Sequence, residues 1–325
     1  MHPWNEPILD SLRKRLDTLP HALLLHGPKG VGKLALAERA AQMILCEAKG
    51  GRRPCGQCEG CRWFAAGNHP DFRRVEPEAL AAQAAQPEEG VEPAAEAAPA
   101  RKAKPSQEIK VDQVRQLADF LNVNSHRGGR RVALVRPAEE MNANAANALL
   151  KALEEPPPGA MFILVSHRPA RLLPTIRSRC VAVPVPVPPR EVANRWLAEQ
   201  KIADASRWLA YAGGAPLLAL EYGESAADIE RLLGQVRSGA QVQVDDRPQL
   251  EALAEALQKY ALDRAMTAFA ARELFATGGG GARRESARAW LAFAREMGPN
   301  RALARHPLNP RLFAAAMLAA MPRKT

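Results

Sequence analysis

A parallel α/β domain followed by a mainly helical region is the fold class this sequence predicts, and three observations predict it. A buried-strand pattern, a glycine-rich turn and a helix follow one another over residues 21–40. Four cysteines cluster at 46–61. Short apolar runs then alternate with helical periodicity as far as residue 184, beyond which only helix-like segments remain.

The first element carries the most chemistry. His21-Ala22-Leu23-Leu24-Leu25-His26 has the continuous apolar character of a buried parallel strand, and Leu34–Ala40 continues as a helix. Between them, Gly27-Pro28-Lys29-Gly30-Val31-Gly32-Lys33 reads as G-x-x-x-x-G-K, a phosphate-binding loop in its required strand–turn–helix setting. The next position calls for Ser or Thr, whose hydroxyl ligates Mg²⁺, and here it is Leu34. Gly27, Gly30, Gly32 and Lys33 are therefore candidate nucleotide-binding residues of a degenerate loop, with productive ATP binding doubtful.

Cys46, Cys55, Cys58 and Cys61 follow in the pattern C-x8-C-x2-C-x2-C, and Gly56 and Gly60 allow tight turns between them. Four thiolates suit a closed, tetrahedral, structural zinc site that staples a local module. An iron–sulfur centre or unmetallated thiols are the alternatives. Cys180 stands apart and is expected to be a small buried residue. From 77 to 105 the chain is rich in Ala, Glu, Pro and Gln and poor in large apolar residues, the composition of a flexible surface insertion.

Helix and strand then alternate: a helix at Val111–Leu121, a strand at Arg130–Val135, a helix at Asn144–Glu155 stopped by Pro156-Pro157-Pro158, and a strand at Met161–Val165. The strand ending at Val135 leads into Arg136-Pro137, where phosphate-loop ATPases place an acidic pair that handles Mg²⁺ and water. Glu139 and Glu140 come too late for that register and read as exposed acids at a helix start. Ser166 ends its strand either as a cap or as a phosphate sensor. A last short strand at Val181–Val183 precedes a linker marked by Pro184, Pro186, Pro188 and Pro189. Downstream, amphipathic runs at Leu250–Leu257 and Leu312–Leu318 flank a breaker at Gly278–Gly281, and they suit either subunit packing or an internal helical core.

At 325 residues the chain exceeds what one core usually serves, so two or three domains are expected. Its formal charge of +10 and pI near 9.7 favour a polyanionic partner such as nucleic acid. Arg127, Arg130 and Arg131, around Gly128-Gly129, could touch a DNA phosphate or form a solvated loop. No apolar stretch reaches membrane-spanning length and the N-terminus lacks a charged leader with an apolar core, so a cytoplasmic protein is expected.

The ordered set of the Gly27–Lys33 loop, the cysteine insertion, Asn147-Ala148-Leu149-Leu150-Lys151-Ala152-Leu153-Glu154-Glu155-Pro156-Pro157 and Ser178-Arg179-Cys180 resembles the clamp-loader branch of the AAA+ family, with the motifs dense over 20–184. The resemblance implies an AAA+ domain at 1–184 carrying the zinc module, a helical lid domain at 185–228 and a helical collar domain at 229–325 that joins five subunits in a ring. It implies motor (gamma/tau) and delta subunits, a sliding clamp and primed DNA as partners. Motor subunits of that kind keep Ser/Thr after the loop lysine, an acidic pair after the third strand and a phosphate-contacting Arg in the lid. This chain has Leu34, Arg136-Pro137 and, at the matching lid stretch Gly213–Leu218, no Arg.

What it keeps is Arg179. By resemblance, Arg179 is an arginine finger reaching in trans into a neighbour's ATP site, where a guanidinium stabilises charge developing on the γ-phosphate; the alternative is an arginine that only ion-pairs within its own domain. The expected role is a stator, an accessory subunit of a replicative DNA polymerase assembly with no activity of its own. The alternatives are a slow ATP-hydrolysing motor subunit of the same complex and a stand-alone zinc-dependent DNA-binding protein.

Overall fold

The computed structural model describes all residues except 50, 85–104, 124–128, 241, 270, 305, 307 and 323–325. The chain divides into two compact units, Met1–Val187 and Pro188–Thr325.

In the first unit the elements run α1 (Glu6–Lys14), β1 (Ala22–His26), α2 (Lys33–Ile44), α3 (Glu59–Ala65), β2 (Phe72–Val75), α4 (Glu78–Ala84), α5 (Val111–Asn122), β3 (Arg131–Val135), α6 (Ala143–Glu154), β4 (Ala160–Ser166), α7 (Pro174–Arg179) and β5 (Val181–Pro184). The five strands form one parallel sheet in the order β2-β3-β4-β1-β5, with Leu24 of β1 beside Leu164 of β4 and Ala182 of β5. β3 and β4 are buried along their whole length, which explains their uninterrupted apolar runs: both sheet faces are covered. One core gathers Leu24, Ala133, Val135, Phe162 and Leu164 with Val114, Leu117 and Leu121 of α5, Leu149 and Leu153 of α6, and Ile176. Cys180 is buried there as expected, and burial pushes its thiol up to about 11.

β2 and the short helices α1, α3, α4 and α7 are additions to the expected elements. β2 is only Phe-Arg-Arg-Val at the sheet edge, with both arginines exposed. α4 opens the segment expected to be flexible, and it is tied to the chain beyond that segment by a 2.8 Å Glu78–Lys110 ion pair and a bond from the Ala79 amide to the Ser106 carbonyl. Most of that expected insertion, 85–104, lies outside the described residues.

The second unit contains α8 (Arg190–Glu199), α9 (Ala205–Tyr211), α10 (Pro216–Glu224), α11 (Ala226–Ser238), α12 (Arg247–Thr267), α13 (Ala287–Leu303) and α14 (Pro310–Ala319). α12 is its spine: Leu250, Leu253, Ala254, Leu257, Tyr260, Ala261 and Ala265 are all buried, so the Leu250–Leu257 run forms an internal core. α14 is two-sided, burying Ala314 and Met317 while Leu312 is 72% exposed. The glycine run is a bound loop. Arg264 Nη1 donates to the carbonyls of Gly279 at 2.8 Å and Gly281 at 2.9 Å, and Thr267 Oγ1 donates to that of Gly280.

Candidate functional site

The phosphate loop is built by the passage from β1 into α2. Gly27, Gly30 and Gly32 have φ values of 150°, 82° and 81°, a region that a side chain strongly disfavours. Gly27 is further constrained because a Cβ there would stand 2.1 Å from the carbonyl oxygen of Val185. The N-terminal turn braces the far side of the loop. Trp4 Nε1 and Asn5 Nδ2 each donate to the Val31 carbonyl at 3.0 Å, Asn5 also reaches the Gly32 carbonyl, and the His2 ring, stacked on Trp4, packs against Gly32.

Lys33 is buried, and its ammonium turns back to donate to the carbonyls of Gly27 at 2.7 Å and Pro28 at 2.5 Å. Burial pushes it down to about 8, against the opposing pull of Glu139. The loop thus has the glycine conformations and the lysine of phosphate recognition, while the next side chain, Leu34, offers no metal ligand.

At the end of β3, where the acidic pair of an ATPase would stand, Arg136 forms an ion pair with buried Glu76 at 2.5 Å, and Arg74 approaches the other oxygen of Glu76 at 3.4 Å. A fixed cation occupies this strand end.

Glu139 departs from expectation. It is half-buried, and Oε1 accepts from the amides of His167 at 2.8 Å and Arg168 at 3.1 Å, just past β4. Its other oxygen, Oε2, and His167 Nδ1 are buried without a hydrogen-bond partner. Burial, then the charge of Lys33, push His167 down to about 4. A one-turn 3₁₀ helix at Ala138–Glu140 carries Glu139 back toward the loop, a turn the acid spacing alone does not reveal. Ser166 is fully buried, and its Oγ accepts from the Arg168 amide at 3.2 Å, the geometry of a strand-end cap.

Arg179 ends α7. It is about a third exposed, its Nη2 lies 2.6 Å from Glu154 Oε1 at the end of α6, and its Nη1 donates to the Thr175 carbonyl. Of the basic cluster at 127–131, Arg131 is buried and donates to the Phe120 carbonyl at 2.8 Å, so it binds the end of α5 and is unavailable to a DNA phosphate. Arg130 is half-buried, and Arg127 and Gly128 lie outside the described residues.

The four cysteines converge. All four sulfurs lie within 4.8 Å of one another, with Cys46–Cys58 and Cys55–Cys61 both at 3.9 Å. Backbone amides of Cys55, Gln57, Cys58 and Cys61 point at cluster sulfurs at 3.4–3.5 Å, and the donors from Cys58 and Gln57 pull the Cys55 thiol down to about 6. Ligand sulfurs about 2.3 Å from one tetrahedral ion stand roughly 3.8 Å apart. The spacing and the amide donors therefore fit a single metal ion held by thiolates.

A family model described as "DNA polymerase III, delta subunit" matches residues 5–188, which span this sheet, the loop, the cysteine cluster and Arg179. The chain belongs to this family. Among its relatives, the DNA polymerase III subunit delta' of Pseudomonas aeruginosa is 41% identical over 223 residues, covering 67% of this chain and 60% of that protein. The subunit of the same name from Escherichia coli is 33% identical over 201 residues, covering 61% and 53%. The gamma subunit-related DNA polymerase III protein of Thermotoga maritima superposes with a TM-score of 0.45 at 20% identity, covering 96% of this chain and 97% of that one. The chain spans between 45% and 63% of the length of the delta' relatives it matches. Among the described residues no helix is long and apolar enough to cross a membrane.

Proposed function

We propose that this chain is a stator of a bacterial replicative clamp loader: a cytoplasmic, non-hydrolysing delta' subunit that lends Arg179 in trans to a neighbouring ATPase subunit while the sliding clamp is loaded onto primed DNA. The observation that carries the reading is the cation at the end of β3. Arg136, paired with Glu76, stands where MgATP hydrolysis needs a carboxylate, and Leu34 removes the other protein oxygen that would hold the metal. Retaining a phosphate loop without metal ligands fits a subunit whose fold is needed in a ring and whose turnover is not.

In this reading the partners are motor (gamma/tau) and delta subunits in a pentameric ring. The Pro188–Thr325 unit supplies the helical lid and collar, and exposed Leu312 belongs to a packing face. Cys46, Cys55, Cys58 and Cys61 hold one structural zinc ion, with all four coordination positions taken by protein and none left for chemistry. The 3.9 Å sulfur spacing supports a single ion over a multi-iron cluster, whose thiolates are spread around inorganic sulfides.

The test is clamp- and primed-DNA-stimulated ATP turnover of the reconstituted loader. Arg179→Ala is expected to lower turnover while Lys33→Ala leaves it unchanged. One observation favours the motor alternative: Glu139 Oε2 is a buried carboxylate oxygen without a partner in the neighbourhood of Lys33. If Lys33→Ala and Glu139→Gln are the damaging changes and Arg179→Ala is silent, the motor reading replaces the stator.

A further inference from the structure

Two sequence motifs that the proposed function leaves unconnected meet in the fold. The Asn147–Glu155 stretch runs through the rest of α6 to its C-cap, and Glu154, the last residue of the helix, faces Arg179 at the end of α7 with 2.6 Å between Oε1 and Nη2. Arg179 Nη1 donates to the Thr175 carbonyl one helical turn back at 3.1 Å and approaches Ser178 Oγ at 3.5 Å. The guanidinium is thus held by a carboxylate from one helix and a carbonyl from its own. A guanidinium has five N–H donors, more than these contacts use.

Both partners are anchored from behind. Leu153, beside Glu154, and Cys180, beside Arg179, are buried in the same core, together with Ile176 on α7. The two side chains remain about a third or more exposed, at 35% and 43%. A pair this exposed adds little to stability, so its value lies in geometry. An arginine left to wander samples many rotamers, and ordering it when a ligand arrives costs affinity for that ligand.

We propose that Glu154 is a positioning residue for Arg179. Resting on the stator reading above, it holds the guanidinium in one place at the end of α7, over the Thr175 carbonyl, so that the spare donors meet the transferring phosphoryl group of the adjacent subunit without a search through rotamers. A polyphosphate carries more charge than one carboxylate, so Glu154 orients the finger without outcompeting its target.

The experiment is stimulated ATP turnover of the reconstituted loader with Glu154→Ala, Glu154→Gln, Arg179→Ala and the Glu154→Ala/Arg179→Ala double variant, with melting temperatures of the isolated chain as the folding control. Glu154→Ala is expected to lower kcat about 3- to 10-fold with KM for ATP unchanged, the range set by ordering one long side chain. Glu154→Gln, which keeps an oxygen acceptor, recovers part of the loss, and Glu154→Ala adds nothing when Arg179 is already Ala. If Arg179→Ala lowers turnover but Glu154→Ala leaves it unchanged or raises it, the positioning role is wrong and the finger stands. A further loss from Glu154→Ala on the Arg179→Ala background also overturns it. If Arg179→Ala is itself silent, the finger and its positioning residue fall together.

Discussion

Arg136 and Glu76 join the carboxyl ends of two adjacent parallel strands through a 2.5 Å ion pair, with Glu76 almost wholly buried. The pair sits at the carboxyl edge of the sheet, the edge at which β1 leads into the phosphate loop, and it forms a cross-strand tie there.

Removing one member of a buried pair leaves the other charge uncompensated. Arg136→Leu is therefore expected to destabilise the first unit by about 2–3 kcal/mol, less than for a fully buried pair because Arg74 still approaches Glu76 at 3.4 Å. Adding Glu76→Leu should recover part of that loss. Urea unfolding of the two single variants and the double variant checks it, and additive losses in the cycle would falsify the tie.

Metal removal addresses the cysteines. Cys46 and Cys61 are buried and linked to α2 and α3, so stripping the ion should loosen this module while the sheet stays folded. One zinc per chain is expected by elemental analysis, lost on Cys58→Ser. Because protons compete for thiolates, zinc release should also steepen as pH falls. The melting temperature should drop by roughly 5 °C or more on metal loss. A metal-free chain with unchanged melting would show that the cluster does not staple the fold.

β1, the loop and α2 were legible in the sequence because their signals are local: an apolar run, glycines at turn positions and a lysine opening a helix. The cysteines were equally plain from spacing. What escaped was set by contacts between distant segments. β2 has four residues, two of them exposed arginines, and becomes a strand only because β3 lies beside it. Glu139 reads as a surface acid until the turn after β3 folds it against the amides following β4. Arg131 falls in the strand the sequence predicts, but that its guanidinium turns to the Phe120 carbonyl at the end of α5 is set by packing that its neighbours in sequence do not reveal. The ties Arg136–Glu76 and Arg179–Glu154 pair residues with no periodic relation, and strand order rather than composition brings the first of them together.

Two buried lysines should add stability as pH rises above 8. Burial pushes the Lys259 ammonium down to about 8 although it contacts Glu255 at 2.5 Å and lies 3.7 Å above the Tyr211 ring. Lys33 is lowered to about the same value in the other unit. Above pH 8 the unfolded chain still holds both protons while the folded chain releases them, so the lysines' contribution to stability rises with pH, by roughly 2 kcal/mol per lysine between pH 8 and 10. Burial and then the Glu255 charge raise Tyr211 and Tyr222, so above about pH 10 the unfolded tyrosines ionise first and stability falls again. Denaturant midpoints from pH 7 to 11 test this. Lys259→Met should flatten the rise in the second unit, and a wild-type midpoint that declines steadily from pH 7 would refute the assignment.

At the acid end His167 acts with the same sign as the two lysines. Burial and the Lys33 charge hold its folded pKa near 4, so the unfolded chain takes up a proton first as pH drops below 6.5 and stability is lost down to about 4. The imidazole should stay neutral at pH 5 in NMR titration of the folded chain. Ordinary titration near 6.5 would mean that the ring is exposed and remote from the loop lysine.

The last prediction concerns the glycine run. Asp263 is completely buried, and its carboxylate accepts from the amides of Leu274 at 2.7 Å, Phe275 at 2.9 Å and Thr277 at 2.9 Å, and from Thr277 Oγ1 at 2.7 Å. Beside it, Arg264 holds the carbonyls of Gly279 and Gly281. Two successive residues of α12 thus supply opposite charges to the two halves of one loop, donors on one side and acceptors on the other. Asp263→Ala removes every acceptor for those four donors, each worth about 1–3 kcal/mol when left unsatisfied in a buried place. Relaxation and water entry will recover part of this, so a loss of about 3–5 kcal/mol is expected. Asp263→Asn keeps one acceptor oxygen and should cost less. In hydrogen exchange, the amides of 274–277 should lose protection in Asp263→Ala before those of α12 do. Equal loss across the unit would mean that the carboxylate supports the helix packing as a whole and has no special hold on the loop.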